Sequence, residues 1–267
     1  MRTSYAFALV LPLLSGCDEP KPGTSAEAPN QTSVASAVSS APPAPAPPPT
    51  PAWEKRKASE CKPHPSTVDF GNDAALEHEV RRKLGKDGGP ITPNDLAQIK
   101  SINLASVAGA PLHQLDPCVF PMFTSLKDLF LGSGDYDDLS PIQTLTTLMS
   151  LRASLSSVKD LRPIEGCKRL DRLDISHTPV TDDDLKPVGS LVNLTELLLD
   201  EDSVSDLTPL ANLKKLERLS IKKTRVTNLA PLAGLKSLKF LYIADTPVSD
   251  ITPVQPLIAH GMRLVQN

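Results

Sequence analysis

Between Pro187 and Thr252 the chain repeats one pattern three times. Leu191–Leu199, Leu213–Ile221 and Leu235–Ile243 align without a gap. Apolar residues recur at Leu191/Leu213/Leu235, Leu194/Leu216/Leu238, Leu197/Leu219/Leu241 and Leu199/Ile221/Ile243. Val204, Val226 and Val248 follow five residues later, then Leu207, Leu229 and Ile251. Pro187, Pro209 and Pro231 precede the units, Pro253 follows the third, and the period is 22 residues. A fixed period of this length excludes an ordinary layered domain and predicts a stack of identical small units.

Within each unit the alternation of Leu197 and Leu199 with Glu196, Leu198 and Asp200 is strand periodicity with one face buried. The remaining leucines cannot lie on that strand, so the chain must turn and return them over the same core. One unit cannot bury this set alone, whereas stacked neighbours can. Proline at each start withholds a backbone donor and fixes φ, which suits the turn into the outer side. Successive strands then lie parallel, with right-handed crossovers. The expected fold class is an α/β solenoid: a curved parallel sheet with short helical or 3-10 convex segments.

The pattern resembles the short bacterial type of leucine-rich repeat found in internalins, over roughly residues 66–267. That type carries Asn where this chain has Thr178, Thr224 and Thr246. A threonine hydroxyl does part of the same turn-closing work, and Asp202, in the remaining slot, accepts but does not donate when ionised. The resemblance implies the fold and protein binding in general, not a particular ligand.

The repeats are predicted over residues 99–252. Upstream of the regular ones stand two imperfect units, Phe123 to Leu139 and Leu145 to Leu161. A third, from Cys167, reaches Leu185 two residues late, through Asp182-Asp183-Asp184. With a cap-proximal unit at Leu96, Ile99, Ile102 and Leu104, this predicts seven strands. Residues 61–98 read as a small α-helical N-terminal cap. Asn72 or Asp73 caps a helix whose face is Leu76, Val80 and Leu84 and which Gly85 ends; Thr92-Pro93-Asn94-Asp95 opens a second with a capping box. The cap resembles that of internalin-like solenoids. Residues 253–267 are expected to close the far end.

Residues 1–17 read as an export signal. Arg2 gives the positive start, Ala6 to Leu14 the apolar core, and Leu14-Ser15-Gly16-Cys17 resembles a bacterial lipobox. The lipoprotein resemblance implies that Cys17 is acylated and anchors the exported chain to the bacterial cell membrane or outer membrane, with the folded part periplasmic or on the surface; the alternative is an ordinary cleaved signal. Twelve prolines fall between Pro20 and Pro65. With few large apolar residues beside them, residues 18–60 are expected to be a disordered tether. Extended at about 3.1 Å per residue, it would hold the solenoid on the order of 100 Å from the bilayer.

Of the four cysteines, Cys167 takes the slot of Leu145 and Leu191 and reads as a buried thiol. Cys61 and Cys118 flank the cap; an exported setting permits a disulfide between them, and two free thiols are the alternative. His64, His78, His113, His177 and His260 show no metal-ligand spacing, and no phosphate loop or nucleophile elbow appears. No enzyme activity, cofactor or metal is therefore expected. The acidic runs at Asp135-Tyr136-Asp137-Asp138 and Asp182-Asp183-Asp184 read as solvated loop charge, with calcium as the alternative. A net charge of −3 and short basic runs give no case for nucleic acid.

Aligned, the repeats place three columns on the outer strand face. One runs Ser101, Asp128, Ser150, Arg172, Glu196, Arg218, Phe240. The next runs Asn103, Phe130, Arg152, Asp174, Leu198, Ser220, Tyr242. The third runs Ala105, Gly132, Ser154, Ser176, Asp200, Lys222, Ala244. Arg172–Glu196–Arg218, Arg152–Asp174 and Asp200–Lys222 alternate in sign, so the charges are expected to pair within the face. Pairing does not account for Phe130, Leu198, Phe240 and Tyr242, whose placement beside arginine is that of binding anchors. The expected function is a monomeric, membrane-anchored, non-enzymatic module that binds an envelope or extracellular protein through its concave face. The alternatives are a structural spacer and a glycan-binding module.

Overall fold

A computed structural model describes residues 56–63, 65–106 and 112–266. Its first helix, α1 (Ala74–Leu84), begins where Asp73 Oδ1 accepts from the Leu76 amide at 2.8 Å and ends at Gly85, whose φ of 64° suits a residue without Cβ. The second, α2 (Pro93–Gln98), opens with reciprocal bonds between Thr92 and Asp95. Leu76, Val80 and Leu96 are buried beneath them.

Eight strands follow: β1 (Ser101–Asn103), β2 (Asp128–Phe130), β3 (Ser150–Arg152), β4 (Arg172–Asp174), β5 (Glu196–Leu198), β6 (Arg218–Ser220), β7 (Phe240–Tyr242) and β8 (Arg263–Val265). They form one parallel sheet in chain order. Each central residue, from Ile102 through Leu129, Leu151, Leu173, Leu197 and Leu219 to Leu241, faces the core with at most 1% of its surface exposed. The sheet has one strand more than the repeat count predicts. Residues 255–265 do not merely cover the end of the core: after helix α4 (Gln255–Ala259) the chain adds β8, placing Arg263 beside Phe240 and Val265 beside Tyr242. The repeat signal is faint there because Gly261 stands where Leu238 stands in the unit before.

On the convex side each unit makes a short 3-10 turn with proline in its first two positions, as at Ser140–Ile142, Arg162–Ile164, Thr208–Asn212 and Ala230–Leu232. A polar residue just ahead of the turn accepts the backbone N–H two positions on. Asp138, Asp160, Asp206, Asn228 and Asp250 all do this, at 2.7–2.9 Å. This column of side-chain caps was missed in the sequence, because hydrophobic spacing does not signal it. The extra residues at Asp182-Asp183-Asp184 are ordered charge, not loose loop: they form the helical turn α3 (Asp182–Leu185). Asp184 there accepts from Thr181, and Asp182 accepts from Ser205 and Asp206 of the next unit.

Hydroxyls in the turn after the strand tie back to their own unit. Ser156, Thr224 and Thr246 donate to Ala153, Ile221 and Ile243 carbonyls at 2.7–2.8 Å. At Asp202 the pattern inverts, and the side chain accepts instead of donating. Thr178, one unit earlier, donates to it from both its amide (2.8 Å) and its hydroxyl (3.1 Å). Cys167 is fully buried and free, and burial pushes its thiol up to about 11.

Candidate functional site on the concave face

Parallel pairing without a slip puts Asp128, Ser150, Arg172, Glu196, Arg218 and Phe240 side by side. Phe130, Arg152, Asp174, Leu198, Ser220 and Tyr242 form the second row. Because β1 to β7 are each only three residues long and each of their centres is buried, the two flanking side chains of each must emerge on one face.

Two clusters stand on that face. At the C-terminal end the Phe240 and Tyr242 rings stack with centroids 6.5 Å apart and planes within 15°. The Arg218 guanidinium lies 5.0 Å from the Phe240 centroid and 5.8 Å from that of Tyr242, and its Nη1 donates to the Tyr242 hydroxyl at 3.2 Å. Glu196 holds the same guanidinium from the other side at 3.4 Å. Cation–π contact and hydrogen bonding thus fix an arginine that would otherwise lose side-chain entropy on binding. β8 flanks the rings without covering them, and both remain partly exposed.

Towards the other end, the Arg152 guanidinium lies 5.6 Å from the Phe130 centroid, and its Nε pairs with Asp174 at 3.0 Å. Phe130, Arg152, Arg172, Asp174, Glu196 and Leu198 line a hollow of about 150 Å³. At about 4.8 Å per strand the two clusters lie roughly 20 Å apart.

The charge pairing differs in one place from the expected alternation. Arg172 turns away from Glu196, towards Asp171 (3.4 Å) and Asp128 (3.9 Å), because Glu196 is already held by Arg218. Arg152–Asp174 and Asp200–Lys222 (3.0 Å) pair as the columns predict. Ser150 and Ser220 lie on this face yet are buried, and Ser220 donates to Asp200. Alternation assigns a side chain's direction, but a small side chain between long neighbours is covered by them.

Cys61 and Cys118 are joined by a disulfide with Cα atoms 5.1 Å apart. Beside it Arg56 pairs with both Asp69 and Asp116 at 3.1 Å. Cys17 and His64 lie outside the described residues. The dispersed histidines meet separate partners: His113 contacts Asp135, and His177 lies 3.2 Å from Glu201. Among the described residues no group of three or more His, Cys, Asp or Glu is placed to hold a metal ion, and no helix is long and apolar enough to cross a membrane.

The sheet, convex turns and helical cap define a leucine-rich repeat solenoid of internalin-like architecture. Solved structures agree: 383 chains match, so the likeness is to a widely used fold. An internalin C2 of Listeria monocytogenes superposes with a TM-score of 0.60 at 24% identity, over 73% of this chain and 93% of that one. An internalin (inlF) of the same species gives 0.60 at 25%, over 73% of this chain and 62% of that one. A leucine-rich repeat protein of Leptospira interrogans gives 0.51 at 20%, over 65% of this chain and 51% of that one. No protein-family model matches the sequence, and no curated protein shows significant similarity to it.

Proposed function

We propose that this chain is a lipid-tethered leucine-rich repeat module that holds a protein partner against its concave face in the bacterial cell envelope. The observation that carries the reading is the cluster of Arg218, Phe240 and Tyr242: two stacked rings with an ordered cation, partly exposed on a rigid sheet. Large aromatics bury much area for little rotamer entropy, and with arginine they dominate binding hot spots. The internalin-like fold supports a binding role in general.

The test is capture of envelope proteins on the solenoid, then titration of the captured partner against Phe240→Ala with Tyr242→Ala. Affinity is expected to fall by roughly 2 kcal/mol or more with little change in melting. Unchanged affinity in a folded double variant moves the site elsewhere, and absence of any saturable protein partner favours the spacer role. The tether is proposed to end at acylated Cys17. Cys17→Ser is then expected to leave an unprocessed precursor without acyl label, because no other residue offers an anchor of that strength. Normal processing and labelling of that variant would remove the anchor from the proposal.

A further inference from the structure

The turns that lead into the strands carry a second surface, distinct from the concave face. Because the strands are parallel and in register, all turns preceding them lie along one edge of the solenoid. The residue four positions before each strand occupies the same place in every unit. From β4 to β7 that place is held by Lys168, Val192, Lys214 and Lys236, and Lys215 stands next to Lys214. All five are exposed.

What these lysines touch is neutral. Lys168 Nζ donates to Ser190 Oγ at 3.0 Å, Lys214 Nζ to the Ala211 carbonyl at 2.6 Å and Lys215 Nζ to Asn193 Oδ1 at 2.8 Å. None of the four lysines has a carboxylate within ion-pair distance among the described residues. Two carboxylates of this edge are already engaged, Glu217 by Lys239 at 2.7 Å and Asp171 by Arg172. Glu165 shares a shallow hollow with Lys168 without pairing to it. The opposite edge is mostly acidic, carrying the turn-capping Asp138, Asp160, Asp206 and Asp250 alongside Lys159 and Arg225.

The same edge also exposes apolar surface. Val192, between two lysines of the row, is 51% exposed, and Met149, one residue ahead of β3, is 36% exposed. Leu155, beyond its strand, is the other large apolar side chain so exposed among the described residues. Cations alone would fit any polyanion. Cations interleaved with exposed apolar side chains fit a lipid interface, where ammonium groups meet anionic headgroups and the apolar groups reach the acyl boundary.

We propose that this lysine-rich edge is a docking surface for an anionic phospholipid membrane. Repulsion of the acidic edge would set the solenoid upright, with the basic edge on the lipid and the concave face open to the side. The inference goes beyond the concave-face reading and does not need the acyl anchor.

The experiment uses the unlipidated chain begun at Asp18. It retains every described element and the whole core, and it lacks the signal segment and Cys17, so binding is free of any acyl anchor and the lysine variants assign it to the edge. Sedimentation with phosphatidylcholine vesicles, with and without phosphatidylglycerol, is expected to show binding only when the anionic lipid is present. Neutralising one lysine near such a surface costs about fivefold in affinity. Lys168→Gln, Lys214→Gln and Lys236→Gln together are therefore expected to weaken binding on the order of 100-fold. Val192→Ser should weaken it further, by a factor that salt does not change. Lys159→Gln with Arg225→Gln, on the opposite edge, should leave it intact, and all variants should melt like the parent because the altered side chains are exposed. Absence of binding, equal binding to neutral vesicles, or full binding by the triple variant would overturn the proposal. So would equally tight binding to soluble polyphosphate with no effect of Val192→Ser, which would make the edge a polyanion site.

Discussion

At the scale of single residues, Asp202 is the most consequential departure from the repeat. Burial pushes its carboxyl up to about 7 from the ordinary 3.8; bonds from Thr178 oppose this and the charges of Asp200 and Asp174 add to it. Its Oδ2 is buried without a partner. The folded chain therefore keeps a proton that the unfolded chain releases near pH 4. Stability is unaffected below that point, falls as pH rises from about 4 to 7, and stays lowered above, by on the order of 4 kcal/mol. Asp202→Asn retains an acceptor for Thr178 and cannot ionise. Denaturant melts should show the variant more stable than the parent at pH 8 and close to it at pH 4, and a parent that does not lose stability over this range relative to the variant would refute the account. The turn position of Asp202 was legible in the sequence. Its titration was not, because it depends on how completely the next unit covers one carboxylate oxygen.

At the scale of the repeat, stability is the burial of one leucine set between two neighbours. Leu219 is fully enclosed between β5 and β7, and Leu219→Ala is expected to cost about 2–5 kcal/mol. Since each unit contacts mainly its neighbours, hydrogen exchange should show the units after β6 opening before those ahead of it. The adjacent Ser220 points outward by alternation, which alone predicts a silent change to alanine. Its burial and its bond to Asp200 raise the expected cost to about 1 kcal/mol. Equal losses for the two substitutions would place the strand in the wrong register. Strand centres and outward columns were readable because period 2 and the 22-residue repeat over-determine them. The convex side was less readable: its prolines mark where a turn begins, but 3-10 geometry and capping arise from bonds between units. Likewise Glu79, fully buried in α1, ties the cap to β1 by accepting from the Asn103 amide at 3.1 Å and from Arg82. A lone glutamate in a helical pattern gives no sign of that.

At the scale of the whole molecule the solenoid is closed at both ends by departures from the repeat, helices first and α4 with β8 last. The aromatic pair therefore sits one strand in from the end of the sheet. Anchors on the final strand would lack a neighbour to hold their backbone; β8 supplies it. The sequence showed the rings and the arginine as neighbours but not their stacking, which depends on side-chain rotamers.

The Cys61–Cys118 bridge has a mechanical consequence. A pull transmitted from the N-terminal side reaches Cys61 and crosses the disulfide directly to Cys118. The intervening stretch, a sequence separation of 57 residues that includes α1, α2 and β1, carries no tension. The clamp of Arg56 on Asp69 and Asp116 sits just before this shortcut and would yield first. Single-molecule stretching should therefore release about 200 Å more chain under reducing than under oxidising conditions, since each freed residue spans at most about 3.5 Å. Equal lengths would mean the bridge is not in the load path. A tether that tugged on this protein would strain its repeats while leaving its cap slack.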